Sequence, residues 1–338
     1  MKRNLLFCLA LTSTVSLSAQ VLESDNYNSY TVGNVATSTT GTVLGQGGMA
    51  VYSGAVTDYQ IVNGDAAHGK YLQVIGGVDG TAASSRYVFK SGLATAWAAR
   101  TAGNNIIKGK ADIYTGTSTN QHASGIAIYG TDDGIVGVRY NSQTKLMTGL
   151  AYLDTGLSGA FYTITGISAT TYPANTWVTV GYSYNKTTGE ITYTIGNAAP
   201  LTLTVNGATT VAGLDPAEFD VYSSPYRASA TAPANTGPTT FGIDNYSVHA
   251  GNNITLGTVE NDARKSSIIA IGPNPTVDYL NILTEMKISN LEIYDMSGKK
   301  IPAQLEGNKV NVRNLSSGSY IVSFETKDGK TIEKFIKK

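Results

Sequence analysis

Cysteine is almost missing from the sequence, with a single residue, Cys8, among 338. Cys8 lies in an apolar run near the start that is expected to be removed, so we expect a mature protein without disulfides or thiol chemistry. Phe7 precedes Cys8, whereas a lipid-anchoring cysteine would need a small residue there and a longer apolar lead. Lipid attachment at Cys8 is therefore not expected.

Charge is also scarce. Lysine, arginine, aspartate and glutamate make up 14 % of the chain, against about 25 % in ordinary soluble domains. The formal net charge is zero, so the sequence shows no electrostatic footprint for nucleic acid or an anionic membrane. Glycine (37 residues) and tyrosine (21 residues) are abundant instead. This composition favours an exposed β-sandwich.

The usual catalytic motifs are missing as well. No strand carries the Glu-x-Asp-x-x-Glu pattern of jelly-roll glycosidases, which need two carboxyl groups about 5 Å apart. Arg139-Tyr140-Asn141 lacks the full arginine strand of alginate-lyase-like sandwiches, and no Gly-x-Ser-x-Gly turn occurs. The histidines match no metal-ligand spacing and are far apart, at His68, His122 and His249. We therefore expect no enzyme and no required cofactor.

The chain begins with a predicted signal peptide at residues 1–20. Lys2 and Arg3 form its positive start, and an apolar run from Leu5 to Leu17 follows. This run is shorter than the roughly 20 residues that cross a bilayer. Small residues before position 20 supply cleavage sites. The expected partners at this step are the Sec translocon and signal peptidase.

Residues 21–250 are expected to form one large all-β domain. Short alternations of apolar and polar residues are separated by Gly, Asn, Asp and Thr turns, and no helical period persists. The clearest pair of runs is Trp177–Tyr184 and Glu190–Ile195, which the turn at 185–189 joins into a predicted hairpin. The number and spacing of such runs favour a two-sheet sandwich over a propeller.

The two ends of this domain resemble the first and last strands of concanavalin A-like, laminin-G-like jelly rolls. They are the segments Glu23–Asn34 and Phe241–Val248. The resemblance implies that these strands lie side by side. Glu23 or Asp25 would then approach Asp244, and we weigh these three carboxylates as candidate ligands of a structural calcium ion. In the alternative, Asp244 only satisfies backbone groups near a strand end.

A polar stretch at residues 251–267 is expected to be a linker. The remaining residues, 268–338, are expected to form a small C-terminal β-sandwich with Tyr320, Val322 and Phe324 turned inward. Short motifs follow one another there in a fixed order: Pro273, Asn274 and Pro275; Tyr294, Asp295 and Gly298; Leu315, Gly318 and Tyr320; and Lys334, Lys337 and Lys338.

This order of motifs resembles the type A C-terminal sorting domain of Bacteroidota proteins exported by type IX secretion. The resemblance implies passage through the periplasm, recognition by an outer-membrane translocon, and removal of the tail by a sortase-like protease. The product would be secreted or held at the outer-membrane surface. On this basis the last seventy or so residues carry an export address and take no part in binding. The alternative is a β module that only packs or dimerises.

For residues 21–250 we predict non-catalytic binding of an extracellular polysaccharide, or adhesion. Flat aromatic side chains beside polar groups suit sugars, although tyrosine on a strand more often packs in a core. The candidate ligand-binding residues are Trp97, Tyr129, Tyr140 and Trp177. Two alternatives stay open: a structural surface or matrix protein without a small ligand, and a jelly-roll glycoside hydrolase or lyase with an unfamiliar site.

Overall fold

The computed structural model describes residues 19–78, 85–117, 121–156, 158–225, 237–252 and 268–338. The predicted signal peptide therefore lies outside the described residues except for its last two positions. The predicted linker lies outside them except for its first two. Below, the body means the described part of residues 19–252, and the tail means residues 268–338.

The body is built from seventeen strands and one short helix, α1, Leu93–Ala98. Its strands are β1 Gln20–Asp25, β2 Gly33–Asn34, β3 Ala50–Tyr52, β4 Tyr59–Asn63, β5 Lys70–Gly76, β6 Arg86–Ser91, β7 Ile106–Tyr114, β8 His122–Tyr129, β9 Gly134–Asn141, β10 Leu146–Asp154, β11 Gly159–Thr165, β12 Trp177–Asn185, β13 Ile191–Ile195, β14 Leu201–Thr202, β15 Thr209–Thr210, β16 Glu218–Pro225 and β17 Thr239–Gly251. Among the described residues, α1 and every other helical turn are too short to cross a bilayer.

The tail adds eight strands. They are β18 Ile269–Gly272, β19 Tyr279–Leu283, β20 Ser289–Asp295, β21 Lys300–Ile301, β22 Leu305–Glu306, β23 Lys309–Asn311, β24 Gly318–Thr326 and β25 Gly329–Lys337.

The body is a jelly-roll sandwich of two antiparallel sheets, as the sequence predicts. Sheet 1 has the order β14-β13-β12-β7-β17-β5-β4-β2, and β1 also pairs with β17. The first and last body strands are therefore neighbours, with Asp25 opposite Tyr246. The body's part of sheet 2 has the order β3-β6-β16-β8-β9-β10-β11. One continuous apolar core lies between the two sheets.

The predicted hairpin is confirmed. β12 pairs antiparallel with β13, and Val180 lies opposite Ile195. Alternate residues of β12 from Val178 onward are buried in the core, because successive side chains of a strand point to opposite faces. After β13, the chain forms a further short strand at Leu201–Thr202. The chain turns soon after, where Gly207 has a φ of 77°, which favours glycine.

The tail continues sheet 2 rather than standing apart from the body. β18 pairs antiparallel with β11, placing Ile164 opposite Ala270, and the sheet then runs on through β19, β23 and β22. The two faces of β18 serve two cores. Ala270 lies in the core of the body, whereas Ile269 and Ile271 lie in the tail's own core. The body and the tail therefore share backbone hydrogen bonds and apolar packing.

Sheet 3, with the order β21-β20-β24-β25, closes the tail's core. Tyr320, Val322 and Phe324 of β24 are all buried there, which confirms the predicted inward alternation. Phe335 of β25 stacks on Tyr320 with ring centroids 5.6 Å apart. This packing fixes β25 over the same side of sheet 2 as the tail's core.

The shared strand predicts that a defect in the tail destabilises the body. Ala270 is fully buried, so the substitution Ala270→Asp would place a carboxylate in the body's core. We expect the free energy of unfolding to fall by at least about 2 kcal/mol. Both tryptophans of the chain, Trp97 and Trp177, belong to the body, so denaturant unfolding followed by tryptophan fluorescence measures the effect.

Gln304→Asp, which introduces the same side chain at an exposed tail position, is the matched control and should leave the transition in place. If Ala270→Asp also left the tryptophan transition unchanged, the body and the tail would be independent folding units.

Candidate functional site

The outer face of sheet 2 is the side turned away from sheet 1. Strand β16 shows how the sequence makes it: Phe219 and Val221 point into the core, and the alternate residues Asp220 and Tyr222 point outward. Opposed residues on neighbouring antiparallel strands share a face. The register therefore assigns to the outer face a set of side chains from six strands: Tyr87, Tyr129, Arg139, Leu150, Phe161, Asp220 and Tyr222.

Among the aromatic rings on this face are two close pairs. The ring centroids of Tyr87 and Tyr222 are 6.4 Å apart, and those of Tyr129 and Phe161 are 5.6 Å apart. Tyr129 lies four residues along β8 from Gly125, the partner of Tyr222. At roughly 3.2 to 3.4 Å per residue, the two pairs are therefore displaced by about 13 Å along the strands. The face offers two separate apolar platforms.

Arg139 lies in the same row of the sheet as Tyr87 and Tyr222. The residue between Tyr222 and Arg139 is Gly125, so no side chain separates them. Arg139 hydrogen-bonds to Tyr222, and its Nε donates to Thr148 Oγ1 over 3.1 Å. The guanidinium group is therefore held in a fixed position by neighbours on both sides.

The tail forms the opposite wall of this site. A cavity of about 360 Å³ is lined by both aromatic pairs and Arg139 of the body, and by residues of β25 and of the loop between β18 and β19 of the tail. Glu333 of β25 is the tail's contact with Arg139, whose Nη2 donates to Glu333 Oε2 over 2.8 Å. Both side chains are largely buried, with 12 % and 5 % of their surfaces exposed. Burial raises the pKa of Glu333, and Arg139 opposes that shift.

Asn274 of the Pro-Asn-Pro motif holds this wall together. Its Nδ2 donates to the Lys334 carbonyl over 3.0 Å, and its Oδ1 accepts the Ile336 N–H over 2.9 Å. Asn274, Lys334 and Ile336 all line the cavity. From the sequence we expect the tail to take no part in binding, whereas three of its motif residues, Asn274, Pro275 and Lys334, line this cavity.

A pair of acidic residues borders the face. Asp220 is buried, and Glu218 lies two residues before it on the same side of β16. Burial, the charge of Glu218 and a hydrogen bond with Glu218 together raise the pKa of Asp220 to about 9. Asp220 Oδ1 has no hydrogen-bond partner among the described residues. The i, i+2 spacing of Glu218 and Asp220 is the signal in the sequence for this pair, because alternate residues of a strand share a face.

Two of the four predicted ligand-binding aromatics are core residues. Trp97 and Tyr140 are 2 % and 1 % exposed and belong to the core of the body. The Trp97 Nε1–H donates to Asp215 Oδ1 over 2.7 Å, and the Tyr140 hydroxyl donates to the Tyr172 carbonyl over 2.8 Å. The prediction for these two was wrong, because burial leaves no ring face for a ligand.

The other two aromatics lie on opposite sides of the sandwich. Tyr129 belongs to the outer face of sheet 2, where its role as a ligand contact stays a prediction. Trp177 lies on sheet 1, and the ring of His68 stacks on it with centroids 3.8 Å apart. Tyr71 and Tyr114 contact the Trp177 ring as well. Trp177 and Tyr129 therefore do not form one site.

The three candidate calcium ligands have other partners. Glu23 Oε1 accepts from Lys90 Nζ over 2.7 Å and from the Tyr246 hydroxyl over 2.9 Å. Asp25 accepts from the Tyr27 N–H over 2.8 Å. Within the part of the chain that the structure describes, no three acidic, histidine or cysteine side chains are grouped to hold a metal. The calcium ion stays a prediction.

Asp244 differs from the other two because its carboxyl group is half satisfied. The Asn245 N–H donates to its Oδ1 over 2.7 Å, and Oδ2 has no partner among the described residues. Burial raises the pKa of Asp244 to about 6. The hydrogen bond to the Asn245 backbone fits the alternative in which Asp244 satisfies backbone groups near a strand end.

A second hollow, of about 270 Å³, lies on sheet 1. Lys108, Lys110 and small residues of β12 and β13 line it, together with Tyr182, which is 3 % exposed. This hollow offers no aromatic platform comparable with that of sheet 2.

The remaining motif residues of the tail have structural roles. Asp295 Oδ1 accepts from the N–H groups of Ser297 and Lys299, at 2.9 and 3.0 Å, which closes the hairpin turn. Gly298 has a φ of 97° in that turn. The Tyr320 hydroxyl donates to the Ser316 carbonyl over 2.8 Å. The further members pack or pair in the tail: Leu315 against its core, Tyr294 opposite Lys300, Gly318 opposite Lys337, and Lys338 hydrogen-bonded to Thr276.

Comparison with protein families assigns the tail. Residues 270–338 match the family described as Secretion system C-terminal sorting domain. The tail is a sorting domain. A sorting domain of the type IX kind marks a chain for export to the cell surface or for secretion, which confirms the predicted localisation. It also implies interaction with the type IX secretion machinery.

The body has only remote likenesses, and a search of curated proteins finds no match to the chain. A non-specific endo-β-1,3(4)-glucanase is 12 % identical, with 70 % of this chain and 94 % of that chain covered and a TM-score of 0.45. An alginate lyase from Aplysia kurodai is 10 % identical, with 69 % and 100 % covered and a TM-score of 0.40. A sialidase is 9 % identical, with a TM-score of 0.37; the match covers 65 % of this chain but only 18 % of the sialidase. Values this low do not bear on activity.

The raised pKa of Asp220 predicts a pH-dependent stability. The folded protein keeps the Asp220 proton up to a pH of about 9, whereas the unfolded chain releases it near the ordinary value of 3.8. Between these values the unfolded state binds fewer protons, so this group makes unfolding easier as pH rises. We expect Asp220→Asn to stabilise the protein by about 1–3 kcal/mol at pH 8, and far less at pH 4.

Denaturant unfolding at the two pH values measures this difference, with Asp132→Asn at an exposed position as the control. An equal effect of Asp220→Asn at both pH values would contradict the raised pKa.

Proposed function

We propose that this protein is an exported, non-catalytic glycan-binding or adhesive protein of the cell surface, and that it binds glycan on the outer face of sheet 2. One observation carries the proposal: two pairs of aromatic rings and Arg139 border one cavity of about 360 Å³. Export by the sorting domain brings the body to where polysaccharides are found.

The arrangement suits a sugar chain because sugars combine apolar C–H faces with hydroxyl groups. Half-buried rings such as Tyr87, Tyr129 and Phe161 offer flat apolar surfaces for the C–H faces. Arg139 and the tyrosine hydroxyl groups supply hydrogen bonds that orient the ligand. The spacing of about 13 Å between the two aromatic pairs suits an oligosaccharide better than a single sugar.

Hydrolysis of a polysaccharide is the second candidate function, because two acidic residues lie side by side on β16 and glycosidases use a pair of carboxyl groups. Glu218 and Asp220 are hydrogen-bonded to one another, so their carboxyl groups are closer than the roughly 5 Å that a retaining glycosidase uses. Asp220 is also only 8 % exposed. These two facts support binding over catalysis. Release of reducing ends from a polysaccharide, lost in Glu218→Gln, would favour the enzyme instead.

A ring substitution tests the binding proposal. In the full chain we expect Tyr129→Ala to weaken binding of a retained glycan about fivefold, because stacking on one ring contributes on the order of 1 kcal/mol. A glycan array identifies retained glycans, and calorimetry or affinity electrophoresis measures the change. Trp177→Ala, on the other sheet, is the matched variant and should bind as the native chain does. A loss with Trp177→Ala alone would place the site on sheet 1.

A further inference from the structure

The carboxylate of Glu333 is hydrogen-bonded to Arg139, the one cationic side chain that the described part of the body contributes to the cavity. Among the described body residues that line it, Arg139 is the only lysine or arginine, and its partner comes from the tail. We infer that the outer face of sheet 2 takes an acidic glycan, whose carboxylate replaces Glu333 on Arg139, and that the tail keeps this face closed until that exchange. The inference rests on the proposed function and adds the ligand's chemistry and the site's regulation.

A carboxylate fits Arg139 for geometric reasons. The guanidinium group is planar and can donate two parallel hydrogen bonds to the two oxygens of a carboxylate. Thr148 and Tyr222 hold the group in place from the sheet. Arg139 is therefore oriented before any ligand arrives, and the side chain of Glu333 already shows a carboxylate in the position a ligand would take.

The pair is well suited to exchange. Glu333 is 4 % exposed, so its carboxylate has given up its water, and the attraction to Arg139 offsets that loss only in part. When Glu333 leaves, it regains water. An incoming uronic acid would take over the contact with Arg139 and would also stack on the aromatic rings beside it. The ligand thus has contacts that the tail's glutamate lacks.

The tail blocks the face by position as well as by charge. Pro275 and Ile336 line the cavity opposite the aromatic rings. Asn274 ties the two tail segments together, so the wall is a unit rather than a set of loose side chains. The outer face is accordingly closed to solvent in part: Leu150, which lies on it, is only 5 % exposed.

Charge removal in the full chain tests the inference. Glu333→Gln keeps the size of the side chain and a hydrogen-bond acceptor for Arg139, but it removes the competing charge. We expect it to raise the affinity for polygalacturonate at least tenfold over the native chain, measured by calorimetry at low ionic strength. Binding of neutral galactan should not change. Glu306→Gln, which removes an exposed tail carboxylate far from Arg139 in the register, is the matched control.

The double variant Arg139→Gln with Glu333→Gln leaves no unpaired buried charge, so it should fold as judged by its tryptophan fluorescence transition. We expect it to lose polygalacturonate binding, because the cation is gone.

The outcomes separate this inference from the proposed function. If Glu333→Gln left polygalacturonate binding unchanged while neutral glycans bound and Tyr129→Ala weakened them, the acidic ligand would be wrong and the glycan site would stand. If neither the native chain nor Glu333→Gln bound any glycan, the proposed function itself would fail. Dextran sulfate binding that depends on Arg139, without polygalacturonate binding, would overturn the assignment of a carboxylate.

Discussion

The antiparallel pairing of β18 with β11 is the constraint from which the rest of the tail's position follows. Three residue pairs, from Thr163 with Ile271 to Thr165 with Ile269, fix the register. Because side chains alternate along a strand, that register decides which side of sheet 2 receives the tail's core. A slip of one residue would turn Ala270 away from the body's core and move sheet 3 to the other side. The closed cavity is thus a consequence of the backbone hydrogen bonds between β11 and β18, the two strands that carry Phe161 and the Asn274–Pro275 segment to its edge.

On the outer face of sheet 2, the polar groups lie between the sheet and the tail. Gly125 has no side chain to separate Tyr222 from Arg139, and the tail covers these groups and excludes water. Buried charge is expensive, so each ionised group there needs a partner. Arg139 and Glu333 satisfy this requirement by pairing, whereas Asp220 satisfies it by keeping its proton. The same low-polarity environment therefore produces an ion pair in one place and a neutral acid in another.

Much of the fold was predictable because strand alternation and turn residues are local signals. The hairpin of β12 and β13 and the inward residues of β24 follow from such signals. The pairing of the first and last body strands follows instead from the resemblance of the two ends of the body to jelly rolls. The joining of the tail to sheet 2 was not predictable, because β18 is a short apolar run that matches either core. The prediction that Trp97 and Tyr140 bind a ligand was wrong for a related reason. The residue type shows that a side chain has a flat ring, but only the packing decides whether that ring is buried in the core. Arg139 lacked a local motif, and its role depends on a residue 194 positions away in the sequence.

The position of β18 also bears on how copies of the protein would meet. Within sheet 2, β18 pairs with the end of β11 at Thr163–Thr165, so this part of the strand is internal for as long as the tail is in place. Separation of the tail would turn β11 into an edge with bare N–H and C=O groups, flanked by the buried side chains Tyr162 and Ile164. Such an edge is a template for strand addition. The export address would then double as a guard against premature self-assembly, and its departure would leave each molecule able to extend its sheet with a strand from another.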